Sequence, residues 1–426
     1  MAKYQKYEEY KDSGVKWLSQ LPVGWDVERT KRMLCLRREL VGTNSLDYQL
    51  LSLTLRGVIP RDISNGDGKI PADFSTYQEV EKKDLIFCLF DIDETPRTVG
   101  LSPEKGMITG AYNVYQTSDR CSSRYAYYYF LHIDLRKGLR PFYTGLRKVV
   151  RSETFGNIKM PCPSYEEQVK IANFLDHEAA QIDTLIEKQQ TLIQLLKEKR
   201  QAVISHAVTP NKDEQSAKLG YFINILSGYS FPSTGYQAEA KGNTALLRGI
   251  NVGVGALKWD ETVWWSRTDR DGLEAFELEE GDIVFGMDRP WISAGARVAE
   301  VTKSDLPCLL LQRVIRIRAN KNTYQPFIKL CLASKEFKFS VEADLTGVSV
   351  PHISPDQVKS FPIRDIGYEQ QKLITDDAFE KMKVLDLIED SAEQAIQLMQ
   401  ERRTALISAA VTGKIDVRGW IAPDAN

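Results

Sequence analysis

The chain has 426 residues, of which 42% are hydrophobic and 27% are charged, so it is predicted to form two or three globular domains rather than a disordered or fibrous chain. Its 56 basic and 58 acidic side chains give a formal net charge of −2, so overall charge does not indicate a nucleic-acid partner. A polar N-terminus, short apolar runs and six scattered cysteines predict a cytoplasmic protein with reduced thiols and no membrane span.

Along the chain, two β-rich segments alternate with two long helical segments. Short apolar runs such as residues 85–90 and 309–317 are separated by glycine and proline turns, which is typical of mixed domains with many short strands. We therefore predict four regions: an N-terminal segment with a first domain (1–164), a central helix (165–209), a second domain (210–367) and a distal helix with a C-terminal tail (368–426).

The helical segments are two copies of one sequence. YEEQ at 165–168 returns as YEQQ at 368–371, and KEKRQAVISHAVT at 197–209 returns as QERRTALISAAVT at 400–412, both at an offset of 203. Without any gap, 16 of the 45 aligned positions are identical. The globular segments share only local echoes, such as residues 84–87 and 282–285. The chain is thus a duplication in which the domains have diverged more than the helices.

Apolar residues in both helical copies follow the alternating spacing of four and three that is typical of a coiled-coil seam. Two matched seams in one chain most economically pack on each other, so we predict an antiparallel pair of long helices. The predicted seam residues are Ile171, Leu175, Ile182, Leu185, Leu192, Leu196, Val203, Ile374, Leu385, Ile388, Met399 and Leu406.

Basic residues cluster with aromatic residues in both globular segments, and residues 1–164 carry an excess of five positive charges. Lysine and arginine can bind phosphates, and an arginine fork can read guanine, although a solvated surface beside a core aromatic would look the same in sequence. The run from Arg136 to Arg151 has only Asp134 as an acidic neighbour in sequence, which favours phosphate contact. The candidate DNA-binding residues are Arg56, Arg61, Lys69, Arg97, Arg120, Arg124, Arg140, Arg147, Lys148, Arg151, Arg248, Arg267, Arg289, Arg297 and Arg313.

Catalytic signatures are missing from the sequence. There is no phosphate-binding GxxxxGK[ST] loop, and no GxGxxG opens a helix after a strand. The four histidines are far apart and do not have metal-ligand spacing. We therefore predict no catalytic, cofactor-binding or metal-binding residue in this chain.

Several motifs together resemble the specificity subunits of type I restriction–modification systems. The departure from that pattern is in the distal copy, where residues 368–377 lack the Phe-Leu-Asp of the central run. The motifs are the segments 10–17 and 21–25, Gly145-Leu146-Arg147, the run PSYEEQVKIANFLD at 163–176, the helix end at 200–209 and AAVTGKID at 409–416.

The resemblance implies an α+β architecture, in which two mixed α/β target-recognition domains are separated by two long antiparallel coiled-coil helices with an internal pseudo-twofold repeat. Each domain would read one half of a bipartite, asymmetric site in double-stranded DNA. The helices would act as a spacer and dock two methyltransferase (modification) subunits, which restriction (motor nuclease) subunits join. S-adenosylmethionine, ATP and Mg would belong to those partners, and this chain would be non-catalytic.

Two other interpretations stay open at this point. One is a structural coiled-coil scaffold, which DNA binding by the assembled complex would remove. The other is a stand-alone DNA methyltransferase or nuclease, which methyl transfer or cleavage by the isolated chain would support.

Overall fold

The computed structural model describes residues 4–15, 17–61, 73–211, 213–293, 295–342 and 352–422. The chain divides into two compact units, Met1–Gln189 with Glu393–Asn426 and Gln190–Ala392. Each of the two long helices contributes one half to each unit. No helix among the described residues is both long and apolar enough to cross a membrane.

The first unit combines short strands and helices with parts of both long helices. In chain order its elements are β1 (Tyr10–Asp12), β2 (Gln20–Pro22), β3 (Asp26–Arg29), α1 (Thr30–Met33), β4 (Leu34–Arg37), β5 (Leu51–Thr54), β6 (Gly57–Pro60), β7 (Gln78–Val80), β8 (Leu85–Phe87), β9 (Val99–Leu101), β10 (Gly106–Ile108), β11 (Asn113–Thr117), α2 (Ser123–Leu135), α3 (Ser152–Asn157), β12 (Lys159–Cys162) and the first half of α4 (Tyr165–Val208). Residues 393–411, the second half of the last helix (α8, Tyr368–Val411), complete the first unit.

The second unit begins in the second half of α4. It continues with β13 (Ser216–Lys218), β14 (Ile223–Ser227), β15 (Thr244–Leu247), β16 (Val263–Trp265), β17 (Ile283–Gly286), β18 (Trp291–Ile292), β19 (Gly295–Ala296), β20 (Val298–Glu300), β21 (Cys308–Leu310), β22 (Val314–Ala319), α5 (Gln325–Leu332), α6 (Lys335–Glu342), α7 (Pro355–Ser360), β23 (Pro362–Arg364) and the first half of α8 (Tyr368–Val411). These mixed domains and two long helices confirm the fold class predicted from the sequence.

Both units are built on the same four-stranded antiparallel sheet. The strand order is β4-β11-β8-β9 in the first unit and β14-β22-β17-β20 in the second. In each, the strand that carries the local sequence echo is an inner strand with buried side chains, which include Phe87 in β8 and Phe285 in β17. The duplication therefore extends into the domains, where the sequence shows it only faintly.

In each globular segment a strand near the beginning pairs with the last strand. β3 pairs with β12, so that Asp26 lies opposite Cys162. In the second unit β13 pairs with β23, and Ser216 lies opposite Arg364. The two ends of each of these segments therefore lie side by side.

A buried glutamine joins each domain to the first turn of the long helix that follows it. In the first unit the Gln168 side chain accepts a hydrogen bond from the backbone N–H of Ser122 (2.8 Å), the residue before α2, and donates one to the Pro163 carbonyl (3.0 Å). Gln371 does the same in the second unit, accepting from the backbone N–H of Tyr324 before α5 (2.8 Å). Both glutamines are fully buried, so these bonds are shielded from water.

The two long helices are joined by an ion pair that occurs twice. Asp183 and Arg403 lie 3.2 Å apart in the first unit. At the equivalent repeat positions in the second unit, Asp386 pairs with Arg200. In the second unit Lys197, three residues before Arg200, lies 3.7 Å from Glu389, which is three residues after Asp386. Moving backward along α4 therefore means moving forward along α8, so the helices run antiparallel.

The buried stripe of the helices departs from the predicted seam at one matched pair. Most predicted seam residues are buried or half-buried, including Ile171, Leu196 and Leu406. Leu185 and Ile388, however, are 49% and 40% exposed. Both lie midway along their helices, and predicted seam residues further along each helix, Leu196 and Leu406, are buried again.

The second unit also fixes the end of α4 through Arg364. This arginine is buried, donates to the Ala207 carbonyl (3.0 Å) and pairs with Glu214 (Nε–Oε2 2.7 Å) in the segment that follows the helix. The hydrogen bond from Arg364 lowers the pKa of Glu214 to about 2. Arg364 thereby links the last turn of α4, the following segment and β23.

We expect Gln168→Ala to lower the free energy of unfolding by about 1–3 kcal/mol, because it leaves a buried N–H and buried carbonyls without a partner. Gln371→Ala should have a similar effect through the second unit. Urea unfolding measures both, with the exposed Gln190→Ala on the same helix as control. Equal midpoints for Gln168→Ala and Gln190→Ala would contradict the proposed role of the buried amide.

Glu214 should make stability depend on pH in the acidic range. Its pKa in the folded chain lies below the unfolded value of about 4.3, so the stabilisation is present above that value and is lost as the pH falls toward 2. Between pH 7 and pH 3 the wild type should therefore lose more unfolding free energy than Glu214→Gln. Parallel pH curves for the two proteins in urea titrations would refute this.

Candidate nucleic-acid interface

One end of the sheet in the first unit gathers several loops that carry charged side chains. β4 and β8 end there, and β9 and β11 begin there. A tight turn from Thr144 to Val149, closed by reciprocal backbone bonds of 3.0 and 3.1 Å, packs onto the loop after β8. The Asp91 N–H donates to the Arg147 carbonyl (2.9 Å), so the backbone alone fixes the turn beside the loop.

The side chains at this end form the first loop cluster, defined by Asp91, Asp93, Glu94, Arg140, Arg147 and Lys148. Arg140 Nε lies 2.6 Å from one oxygen of Asp93, and Lys148 Nζ lies 3.0 Å from the other. Lys148 also pairs with Glu94 (2.5 Å). Hydrogen bonds from Lys148 and Arg140 lower the pKa of Asp93 to about 2, so this carboxylate is ionised at neutral pH.

Arg147 is the most exposed cation of the first loop cluster. Its side chain is 75% exposed, lies 3.6 Å from Asp91 and stands over the ring of Phe90, 5.5 Å from the centroid. Its neighbour Leu146 is also fully exposed at the tip of the turn. Arg147 is therefore the cation of this cluster that is open to solvent and not held in a short ion pair.

The first loop cluster changes one argument made from the sequence. The basic run was expected to lack acidic neighbours except Asp134, but the fold brings Asp91, Asp93 and Glu94 against it. Asp134 is buried instead and accepts hydrogen bonds from Thr98. The acidic partners come from a loop about fifty positions earlier, which local charge counting does not detect.

The corresponding end of the sheet in the second unit has the same construction with different side chains. The Met287 N–H donates to the Arg313 carbonyl (3.0 Å), and the Ile353 N–H donates to the Met287 carbonyl (3.0 Å). These bonds gather the loop after β17, the turn before β22 and the segment before α7. The second loop cluster is defined by Asp288, Arg289, Arg297, Gln312, Arg313 and His352.

Asp288 is the centre of the second loop cluster. One carboxylate oxygen accepts a hydrogen bond from Arg313 (2.9 Å), and the other lies 2.7 Å from His352 Nδ1. Burial alone would raise the pKa of Asp288, but hydrogen bonds from His352 and Arg313 outweigh it, and the pKa is lowered. Arg297 donates to the Asp288 carbonyl (2.9 Å) from a partly buried position.

Left-handed backbone angles recur in both clusters. Asp91 and Lys148 in the first, and Arg289 and Arg313 in the second, have φ between 45° and 66°. Non-glycine residues adopt this region rarely, and such strain is concentrated at functional sites in proteins. The loops therefore hold specific side chains in place at some conformational cost.

The other predicted DNA-binding residues are spread over the units. Several are engaged within the protein: Arg97 with buried Asp134, Arg124 with Asp176 and Asn173 of α4, Arg267 with Asp271 and Glu277, and Arg248 with the Glu261 carbonyl. Arg56, Arg120 and Arg151 are exposed and Arg61 is half-buried. Lys69 lies outside the described residues. The structure thus brings together Arg140, Arg147 and Lys148 in one cluster, and Arg289, Arg297 and Arg313 in the other.

The aromatic run beside Arg124 forms core rather than surface. Tyr125 and Tyr129 are fully buried, and their hydroxyls donate to the carbonyls of Pro161 (3.1 Å) and Lys159 (2.9 Å). Phe130 packs edge-on against Phe87, with ring centroids 5.0 Å apart. These rings anchor α2 to the sheet and to β12.

Sequence reasoning missed Asp93, Asp288 and Gln312. The signal available was the echo between residues 84–87 and 282–285, since both carboxylates lie on the loop that follows it. Gln312, held by Ser230 (2.8 Å), adds an amide of the kind that reads adenine. Among the described residues, no group of three or more His, Cys, Asp or Glu is arranged to hold a metal ion.

Sequence and structure comparisons relate this chain to known proteins. Residues 82–196 match the family model described as the type I restriction modification DNA specificity domain. The specificity subunit of the Escherichia coli type I restriction enzyme EcoAI is 34% identical over 182 residues, which is 42% of this chain and 30% of that protein. The MjaVIII specificity subunit of Methanocaldococcus jannaschii is 25% identical over 282 residues, 63% of this chain and 65% of that protein. The matches thus span less than two thirds of either relative.

Two solved structures share the fold over nearly the whole chain. One, from work on assembly and conformational transition of the type I R-M system, has a TM-score of 0.72 at 14% identity and covers 94% of this chain and 99% of its own. The HsdS subunit from Thermoanaerobacter tengcongensis has a TM-score of 0.56 at 15% identity, covering 93% and 98%. The chain is thus similar in sequence to specificity subunits of type I restriction enzymes, over part of its length, and it shares the fold of the two solved structures.

Proposed function

We propose that this chain is the DNA sequence-recognition subunit of a type I restriction–modification complex. Each globular domain reads one half of a bipartite, asymmetric site in double-stranded DNA, and the chain itself is non-catalytic. The observation that carries the proposal is the repeated sheet with a charged loop cluster at the same end. The strand order of the sheet is the same in both units, whereas the side chains of the two loop clusters differ. Two different half-sites require such a difference.

The loop clusters supply both kinds of DNA contact. Arg147 and Arg289 are exposed cations suited to phosphates, which fix the position of a protein on the duplex. Arg313 and Gln312 have the fork and amide geometries that pair with the edges of guanine and adenine. A recognition surface needs both groups in one place.

The long helices act as a spacer and as the docking surface for two methyltransferase subunits. Each has 44 residues, or roughly 66 Å at 1.5 Å per residue. On α8, Leu373, Leu387 and Leu398 are exposed, although apolar side chains are rarely concentrated on the open face of a solvated helix. These residues suit a contact with partner subunits.

In this proposal the partner subunits bind the cofactors and carry out the catalysis. S-adenosylmethionine is bound by the methyltransferase subunits, while ATP and Mg serve the restriction subunits that complete the complex. The chain works in the cytoplasm, where the host DNA is. Its contribution is the choice of site.

Exchange of one domain tests the proposal. Residues 26–164 replaced by the corresponding segment of another specificity subunit should change one half of the methylated site, because β3 and β12 close this segment on itself. The same exchange of 210–367 should change the other half. Sites are read by sequencing methylated genomic DNA. An exchange that altered both halves in an assembled complex would count against independent reading.

Arg147→Ala should weaken binding to every DNA sequence and reduce the slope of log K against log salt by about one, because one phosphate contact is lost. Fluorescence anisotropy of the complex on short duplexes at several salt concentrations measures both. Lys105→Ala is the control, since Lys105 pairs with Glu79 and Glu81 away from the loop cluster. An unchanged slope for Arg147→Ala would remove this residue from the interface.

A further inference from the structure

We propose that Asp93 and Asp288 are positioning residues that set the specificity of the two DNA-recognition domains. Each holds two basic side chains in a fixed place and offsets their charge, which limits sequence-independent binding to phosphates. The inference rests on the proposed function, because it concerns how the same loop clusters discriminate between sequences.

In the first unit both oxygens of Asp93 are used. They contact Arg140 (2.6 Å) and Lys148 (3.0 Å), and the hydroxyl of Tyr143 lies 3.3 Å away. Three side chains from the segment after α2 thus converge on one carboxylate of the loop after β8. The carboxylate is only partly exposed, which keeps the ion pairs from being fully screened by solvent.

The second unit repeats the arrangement with an arginine and a histidine. Asp288, also on the loop after the inner strand, holds Arg313 (2.9 Å) and His352 (2.7 Å). The partners come from the turn before β22 and the segment before α7. One carboxylate with two basic side chains is therefore present at the same end of both sheets, although the loops differ in sequence.

A contribution to the stability of the fold does not explain why Asp93 and Asp288 occupy these positions. The turn in the first unit is already fixed by backbone bonds between Asp91 and Arg147 and between Val150 and Leu89. In the second unit the bonds of Met287 to Arg313 and Ile353 do the same. Ion pairs near the surface contribute little to folding, typically about 0–1 kcal/mol, so a role in binding is the more economical account.

The physical effect on DNA binding follows from counterion release. Non-specific affinity grows with the number of phosphates that free cations neutralise, whereas a cation already paired with a carboxylate gains less from a phosphate. An arginine held in place also loses less side-chain entropy when it meets a base edge. Both effects widen the ratio between specific and non-specific binding, which is the quantity that matters in a genome.

The test uses Asp93→Asn in the full chain, purified with its modification subunits. Binding is measured on a duplex that carries the methylated site and on an unrelated duplex of equal length, at several salt concentrations. We expect the unrelated duplex to bind about threefold tighter or more, with a salt slope steeper by about one to two, because two cations become available. The ratio of specific to non-specific affinity should fall.

Single base-pair changes locate the effect. Asp93→Asn should weaken discrimination only in the half-site read by the first domain, and Asp288→Asn only in the other half-site. Asp47→Asn and Asp260→Asn remove the same charge at exposed positions outside the ion pairs of the described residues, and should leave discrimination unchanged. Asp93→Glu retains the anion and should restore most of the wild-type ratio.

A second variant keeps the test decisive if Asp93→Asn disturbs the fold. Adding Arg140→Gln and Lys148→Gln to Asp93→Asn removes the released cations, so the gain in non-specific affinity should disappear. If Asp93→Asn changes the slope and ratio no more than Asp47→Asn does, the positioning role is refuted while recognition stands. If the wild-type complex itself shows no sequence preference, the proposed function fails, and this inference with it.

Discussion

A single buried amide in each unit connects the globular domain to the helix that follows it. Gln168 and Gln371 satisfy backbone groups at the start of α2 and α5 while sitting in the first turn of α4 and α8. Because an unpaired buried polar group is costly, each domain has one favoured orientation on its own helix. The loop clusters depend on it, since they lie on a sheet that α2 or α5 covers.

The two copies have kept the same strand order and helix contacts, whereas the side chains on their loops have diverged. The glutamines, the Asp–Arg pairs between the long helices, the strand order and the closing strand pairs occur in both units. The loop side chains do not match, with arginine and lysine held by Asp93 and arginine and histidine held by Asp288. A protein that reads two unlike half-sites needs this combination of a constant frame and different contacts.

Sequence alone predicted the fold class, because it depends on features that recur along the chain. The repeat gave two helices at 165–209 and 368–412, and the structure has them at Tyr165–Val208 and Tyr368–Val411. The matched pairs Asp183/Asp386 and Arg200/Arg403 were visible, but their pairing with each other required the antiparallel geometry. Leu185 and Ile388 lie on the predicted lattice but are exposed, and the spacing pattern alone does not distinguish them from the buried seam residues.

The candidate interface was harder to predict, because it is made by contacts between distant segments. The basic run near Arg147 was identified, whereas the acidic loop at 91–94 that faces it was not. Arg97 and Arg124 resembled surface cations and are engaged within the protein. Charge in a sequence shows which side chains are available, and only the fold shows which remain open to DNA.

The most direct test of the central claim is to map methylated bases in the genome of a host with and without this chain. Recognition by two domains predicts a bipartite, asymmetric motif that is methylated when the chain is present and unmethylated when it is deleted, with the modification subunits still expressed. An identical set of methylated sites in both strains would contradict the claim that this chain selects the DNA sequence.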